Sequence, residues 1–480
     1  MNRSLFVGLA GALAMFAAQA QAQAPAQSPA HPVDDPISAA FVVLGENGAA
    51  QARVVTAAPD CPVVDADGKA LPMHLRAKAE TLPQRPTRSD PKDSKPSAFP
   101  LTVCEAALPR GLAHASVGGH ALPLPVAEPK RIVVIGDTGC RLKLSDDAYQ
   151  ACNAPNQYPF AKVAAAAAAW KPDLVLHVGD YEYRENACSV GKHPGCAGSP
   201  WGYGWDAWNA DFFTPGAALL AAAPWVVVRG NHESCNRAGQ AWWRFLDPRP
   251  LLAGRDCNDP ANDDMGDYSD PYAVPLGDGA QIVVMDSSNT SADAIPPDEP
   301  AAAKYRKLYA DMAALAAQAP YTIVVDHHPL LGFAAAVSKT TEQPELKPGN
   351  LGLQSAFGAI NPWLFPDTVQ MALSGHVHVW EQVSFSSPHP TQFVTGFSGT
   401  QEDVVPIPPA LPTNASVAPG AVVEAFSSWV DGFGFMTLTR TGSQTWDVEV
   451  HDQNGDVVNR CKVTGRRSKC DVTRVSGPKG

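Results

Sequence analysis

Carboxylates, an amide and imidazoles recur in five short strings of this chain. They are Gly136-Asp137-Thr138-Gly139, Gly179-Asp180-Tyr181-Glu182-Tyr183, Gly230-Asn231-His232-Glu233, Val324-Val325-Asp326-His327-His328-Pro329 and Gly375-His376-Val377-His378. Oxygen and nitrogen donors of these kinds, if they converge, are what a pair of metal ions needs. Each string follows a largely apolar run: Ile132–Ile135, Leu174–Val178, Trp225–Val228, Tyr321–Val325 and Val369–Leu373. Five strands would therefore deliver the donors to one edge of a sheet, outside the strands' carboxyl ends, where open α/β sheets place their sites.

The elements that must position these strings follow from the pattern after Lys130. Strand-like runs alternate with helical segments at Phe160–Trp170, Phe212–Ala222 and Ala301–Ala319, the first and last rich in alanine. That alternation predicts an α/β core. Later runs, Thr391–Phe397, Gly434–Thr439, Trp446–Val450 and Val457–Val463, have few helices between them, and Asn454-Gly455 suits a hairpin turn. They predict a second, more antiparallel sheet that closes the core into a sandwich. Upstream, Phe41–Leu44 and Arg53–Val55 predict a small β-rich region, and Pro83–Pro100, rich in Pro, Ser and charge, reads as a loop or linker. The expected organisation is a signal peptide over 1–24, a Pro-rich leader and β-rich region over 25–129, a catalytic domain over 130–463 and a tail over 464–480.

Composition narrows the partners and the compartment. The net charge of −12 over 480 residues disfavours wholesale nucleic-acid binding. Arg3, the apolar stretch Leu5–Ala18 and small-residue sites such as Ala18-Gln19-Ala20 form a secretory signal, too short to span a membrane and not replaced by any later segment. An exported chain, periplasmic or secreted, is expected. Ten cysteines fit five disulfides. Sequence cannot fix their pairing; nearest-neighbour bridging is the simplest pattern. Cys140, Cys188 and Cys235 follow donor strings closely, but loop staples are favoured over thiolate ligands because no Cys-x-x-Cys occurs.

In their order, spacing and strand context, these strings resemble the calcineurin-like metallophosphoesterase superfamily and, within it, the purple acid phosphatases. The likeness covers roughly Lys130 to Gly399. The superfamily's first string is usually Asp-x-His; here Gly139 stands in place of the histidine, and Tyr183 stands three residues after Asp180. Both departures occur together in the purple acid phosphatases. His376-Val377-His378-Val379-Trp380-Glu381 is similar to that family's His-x-His-Ala-Tyr-Glu segment. The resemblance implies a four-layer αββα sandwich. It also implies two metals, one on Asp137, Tyr183 and His378 and one on Asn231, His327 and His376, with Asp180 shared. A phenolate suits Fe(III), and the imidazole and amide set suits a divalent ion such as zinc, iron or manganese. His232 would be the general acid.

Each residue also has a plainer reading. Asp137 and Asp180 could cap turns, Asn231 could form one, and Tyr181 competes with Tyr183. His232 could instead orient a ligand. His328 could contact substrate or hydrogen-bond to a loop. His177, inside an apolar strand, reads as a core residue, and the aromatic run Trp201–Trp208 as core cover rather than a substrate wall. The acidic loop Asp256–Asp270 fits no calcium-loop register. The leading expectation is an exported hydrolase of small phosphate monoesters, attacked by hydroxide held between the metals. A phosphodiesterase or a non-catalytic phosphate-binding module is the alternative. Oligomeric state is not legible.

Overall fold

The computed structural model describes Met1 and residues 35–338, 340–401, 403, 411–412 and 414–475. Met1–Asp35 forms one unit and Pro36–Gly480 another. Apart from Met1, the expected signal peptide and the leader to Pro32 lie outside the described residues, as does 476–480.

Two sheets form the centre of the larger unit, one of eleven strands and one of seven. In the first, Arg131–Ile135, Leu174–His177 and Trp225–Val227 run parallel side by side, with Ile132 opposite Leu174 and Val175 opposite Trp225. In the second, Ala280–Val284, Tyr321–Val325, Val369–Ser374 and Thr391–Thr395 are parallel neighbours. Alternation along each strand explains why the sheets stack. Ile132 and Val134 enter a core shared with Tyr321, Ile323 and Val325, whereas Val133 and Ile135 enter a second core against helices. Val324 faces a third core, beneath helices on the far side. Strands buried on both faces need helices outside them, and the result is the four-layer αββα sandwich.

The outer layers follow helical periodicity. Phe160–Ala169 buries Phe160, Val163, Ala164 and Ala167, and Pro300–Ala316 buries Ala302, Tyr305, Tyr309, Met312 and Ala316. The expected Phe212–Ala222 helix is instead a π-helical turn, Asn209–Phe213, leading into Thr214–Leu220. Gly239–Phe245 was not anticipated, because all seven residues are buried and no amphipathic stripe marks it.

Two expectations need correction. The five donor strands do not share one sheet: three lie in the first and two in the second, so the donors meet at the common end of both sheets. The later runs do not form a single closing sheet either. Gly434–Gly442, Thr445–Asp452 and Val457–Thr464 extend the first sheet, through antiparallel pairing of Val133 with Thr437. Thr391–Thr395 joins the second. The free edge of Arg131–Ile135 takes these strands because its backbone groups must be paired. The first sheet also takes in Ile37–Leu44, which pairs in parallel with Trp225–Val227, and Arg467–Cys470, which pairs with Val457–Thr464. At the hairpin, Gly455 takes φ +91°, which favours glycine.

All five nearest-neighbour disulfides are formed: Cys61–Cys104, Cys140–Cys152, Cys188–Cys196, Cys235–Cys257 and Cys461–Cys470. No cysteine is free, which removes Cys140, Cys188 and Cys235 as thiolate ligands. The bridges fit an exported protein. No helix among the described residues is long and apolar enough to cross a membrane. Thiol titration of the protein unfolded without reductant is expected to find no reactive thiol. Replacing the Cys235–Cys257 pair by serines should cost about 2–5 kcal/mol in denaturant unfolding. Titratable thiols in the untreated protein would contradict the bridged state.

Candidate metal centre

Three strand ends aim their donors by the same device. Asp137, Asp180 and His376 each follow a glycine and take left-handed backbone, with φ of 54°, 59° and 71°. Non-glycine residues rarely hold that conformation, and it concentrates at functional sites. Close approach fixes the glycine at 230, where a Cβ would lie 2.0 Å from Asp180 Oδ1. Gly139 is equally constrained: a Cβ there would sit 2.8 Å from Tyr183 N, Tyr181 O and Asp211 Oδ2. No histidine fits at that position, and the hydroxyl of Tyr183 reaches the centre instead.

The seven expected ligands come together in two joined groups. In one, Tyr183 Oη donates toward Asp180 Oδ2 at 2.7 Å and Asp137 Oδ1 at 2.8 Å and lies 2.9 Å from His378 Nε2. In the other, Asn231 Oδ1 lies 2.9 Å from His376 Nδ1 and 3.1 Å from His327 Nε2. His327 Nε2 is also 3.1 Å from Asp180 Oδ2, which ties the groups together. Asp137, Asp180 and His327 place one donor atom each within 4.8 Å of one another, as do His327, His328 and His376. Backbone carbonyls set the rings. His327 Nδ1 faces Val178 O and His378 Nδ1 faces Gln401 O, each at 2.9 Å, so both rings turn Nε2 inward.

This donor set fits cations. Asp137, Asp180 and Tyr183 are buried oxygens crowded together, and buried carboxylates need a compensating charge. Burial and the neighbouring Asp137 and Asp180 carboxylates push the Tyr183 phenol well above its ordinary range, so a phenolate there needs a cation. Burial alone would lower the His327 imidazole, but Asp180 outweighs it and holds the ring at about 9.

His232 lies at the edge of the first group. Its backbone N–H donates to Asp180 Oδ1 at 2.8 Å, and its ring sits 3.7 Å from the Tyr183 ring, centroid to centroid. Glu185 Oε1 is 3.3 Å from Nδ1, and Arg237 Nη2 lies 2.7 and 2.5 Å from the two ring nitrogens. Burial and Arg237 together lower the His232 pKa well below its usual value.

The competing candidates go elsewhere. Tyr181 stacks on His177 at 3.8 Å and donates to Val228 O, inside the core. His177 is fully buried, with Nε2 on Thr138 Oγ1 and Nδ1 on Gly179 N. Tyr203 and Trp208 pack in the helix-side core. In the acidic loop, Asp267 accepts the Cys235 N–H and Asp263 pairs with Arg85.

Several positioning residues escaped the sequence reading. Glu233 accepts the N–H groups of Asp180, Tyr181 and Gly230 at 2.8–3.1 Å. Asp211 accepts those of Cys140 and Tyr183 at 3.0 and 2.9 Å. Ser287 Oγ accepts those of both His327 and His328 at 3.0 Å. Glu233 was visible as the last residue of its string; Asp211 and Ser287 are remote in sequence and carried no signal.

Glu381 closes the segment His376–Glu381. Its carboxyl is wholly buried and accepts the Phe333 N–H at 2.8 Å, while Oε2 has no partner among the described residues. Burial pushes its pKa up to about 8. Because that value lies above the ordinary ~4.3, the folded chain keeps a proton that the unfolded chain releases between the two, and stability falls as pH rises through that window. Glu381→Gln removes this penalty. Its melting temperature relative to wild type should therefore be higher at about pH 9 than at about pH 5. An offset independent of pH would contradict the neutral carboxyl.

The model of the calcineurin-like phosphoesterases matches residues 130–380, more than half of the chain. No curated protein sequence matches it. Among solved structures, the purple acid phosphatase PPD1 from yellow lupin (Lupinus luteus) seeds is similar at 15% identity and TM-score 0.51, covering 91% of this chain and 74% of that one. A structure of PhoD is similar at 11% identity and TM-score 0.49, covering 94% of this chain and 95% of that one. The lupin likeness extends to the whole fold, and the family match spans all five donor strings. The chain belongs to the calcineurin-like phosphoesterases, and its chemistry is metal-dependent hydrolysis of phosphoric esters.

Proposed function

We propose that this chain is an exported phosphomonoesterase of the purple acid phosphatase type, acting in the periplasm or outside the cell. Asp137, Tyr183 and His378 would hold Fe(III), and Asn231, His327 and His376 a divalent zinc, iron or manganese ion, with Asp180 between them. The observation that carries this reading is the placement of Asp180 Oδ2, 2.7 Å from Tyr183 Oη and 3.1 Å from His327 Nε2. One carboxylate oxygen thus serves both donor groups. When bound, two such ions would lower the pKa of water and neutralise phosphoryl oxygens.

The chain's own residues supply the rest. His232 Nε2 stands 3.9 Å from Asp180 Oδ2 and would be the group that donates a proton to the leaving oxygen. Glu185 offers the acceptor that a protonated ring needs at Nδ1. Arg237, which can only donate, favours the neutral ring. Beside His376 opens a cavity of about 360 Å³, walled in part by Pro329, Phe333, Ala334, Pro348 and Leu351. It has room for an apolar alcohol group, so an aryl phosphate is a suitable first substrate.

The test joins hydrolysis with proton donation. Metal-loaded protein should cleave aryl phosphates, and His232→Ala should keep its metals while losing ~10²–10⁴ in rate on poor leaving groups. That loss should shrink for good leaving groups, which need no proton. A uniform loss across a leaving-group series would assign His232 to orientation, as the Arg237 contact favours. Absence of hydrolysis by protein holding both metals would sink the phosphatase reading.

A further inference from the structure

Three imidazoles, not two, converge on the Asn231 side of the centre. The ring centroids of His327 and His328 are 5.0 Å apart, those of His327 and His376 5.2 Å, and those of His328 and His376 4.1 Å. One ring nitrogen of each lies within 4.8 Å of the others. His327 and His376 have partners already, the carbonyl of Val178 and the amide oxygen of Asn231. His328 differs. The residue is 5% exposed, and its Nδ1 is buried without a hydrogen-bond partner among the described residues.

A buried polar nitrogen left unpaired is costly, so such groups usually have a partner that the chain or a ligand supplies. The backbone does not let the ring escape. The N–H of His328 and that of His327 both donate to Ser287 Oγ at 3.0 Å, which pins the two residues to one point. Their rings then stand at 85° to each other rather than stacked. That arrangement keeps a ring nitrogen of His328 within 4.8 Å of a ring nitrogen of each of the other two imidazoles.

We propose that His328 is a third imidazole donor to the divalent ion of the Asn231, His327 and His376 set. This rests on the dinuclear reading above and deepens it. Imidazoles suit zinc, copper, iron and nickel, whereas carboxylate, carbonyl and water suit magnesium and manganese. A third ring therefore biases this half of the centre toward a borderline ion such as zinc and against manganese.

The test counts nitrogens directly. Metal-stripped full-length protein is loaded with one equivalent of Cu(II), a strong imidazole binder, and the coupled imidazole nitrogens are counted by pulsed electron paramagnetic resonance. Three rings are expected in wild type, two in His328→Gln and three in Asn231→Ala. Competition between Zn(II) and Mn(II) should show the zinc preference of His328→Gln reduced by roughly tenfold or more. Two coupled rings in wild type, or the same count in wild type and His328→Gln, overturns the proposal. The wild-type count decides the matter even if His328→Gln fails to fold. Failure of the underlying reading looks different: the count would then be unchanged in His376→Ala, or no divalent ion would bind at all.

Discussion

Asn231→Ala and His376→Ala are each expected to take phosphoester turnover to background while leaving the fold intact. Asn231 Oδ1 stands between His376 Nδ1 and His327 Nε2, at 2.9 and 3.1 Å, so its loss removes the oxygen around which that donor group is arranged. His376 is exposed, on left-handed backbone just past the strand Val369–Ser374. Melting temperatures equal to wild type in both variants would show that the loss of rate does not report unfolding. Relief of the strained φ could even stabilise His376→Gly. Metal analysis beside turnover checks the assignment: each alanine variant should retain less than the wild-type complement of divalent ion. Wild-type turnover with both metals still bound, in either variant, would show that these residues are not ligands.

The centre was more legible than the frame that holds it, for a physical reason. Donor strings are local: Gly230-Asn231-His232-Glu233 carries its turn, its donor and its positioning carboxylate within four residues. Apolar runs also announce buried strands, and all five strands are present. Runs such as Ile132–Ile135, however, are apolar on both faces, so they say nothing about which sheet they enter or which neighbour they take. The split of the donor strands between two sheets and the antiparallel extension past Gly434 are long-range pairings that no local pattern encodes. The same limit hid Asp211, which sits in a π-helical turn yet binds the amides of Cys140 and Tyr183. The choice between Tyr181 and Tyr183 was also undetermined locally. It is set by packing: the ring of Tyr181 is taken up by His177, Trp208 and Phe212, which leaves Tyr183 facing the carboxylates.

Tyr183→Phe is expected to remove the visible colour of the iron-loaded protein. The Tyr183 hydroxyl touches Asp137, Asp180 and His378, and Gly139 leaves no room for a histidine that could replace it. The phenol is pushed well above its ordinary range by burial and by the two carboxylates, so only a strongly polarising cation would hold it as phenolate. Ferric iron is such a cation, and a phenolate bound to it absorbs in the visible. Phenylalanine keeps the ring, so the packing against His232 should survive while the band and much of the iron affinity are lost. Tyr181→Phe is the control: it removes only the bond to the Val228 carbonyl and should leave the band in place. An active, iron-containing protein with no visible band, or a band lost only in Tyr181→Phe, would refute the tyrosinate. The hydrolase assignment would stand in that case, because Asp137, Asp180, Asn231, His327, His376 and His378 converge whether or not Tyr183 binds a metal.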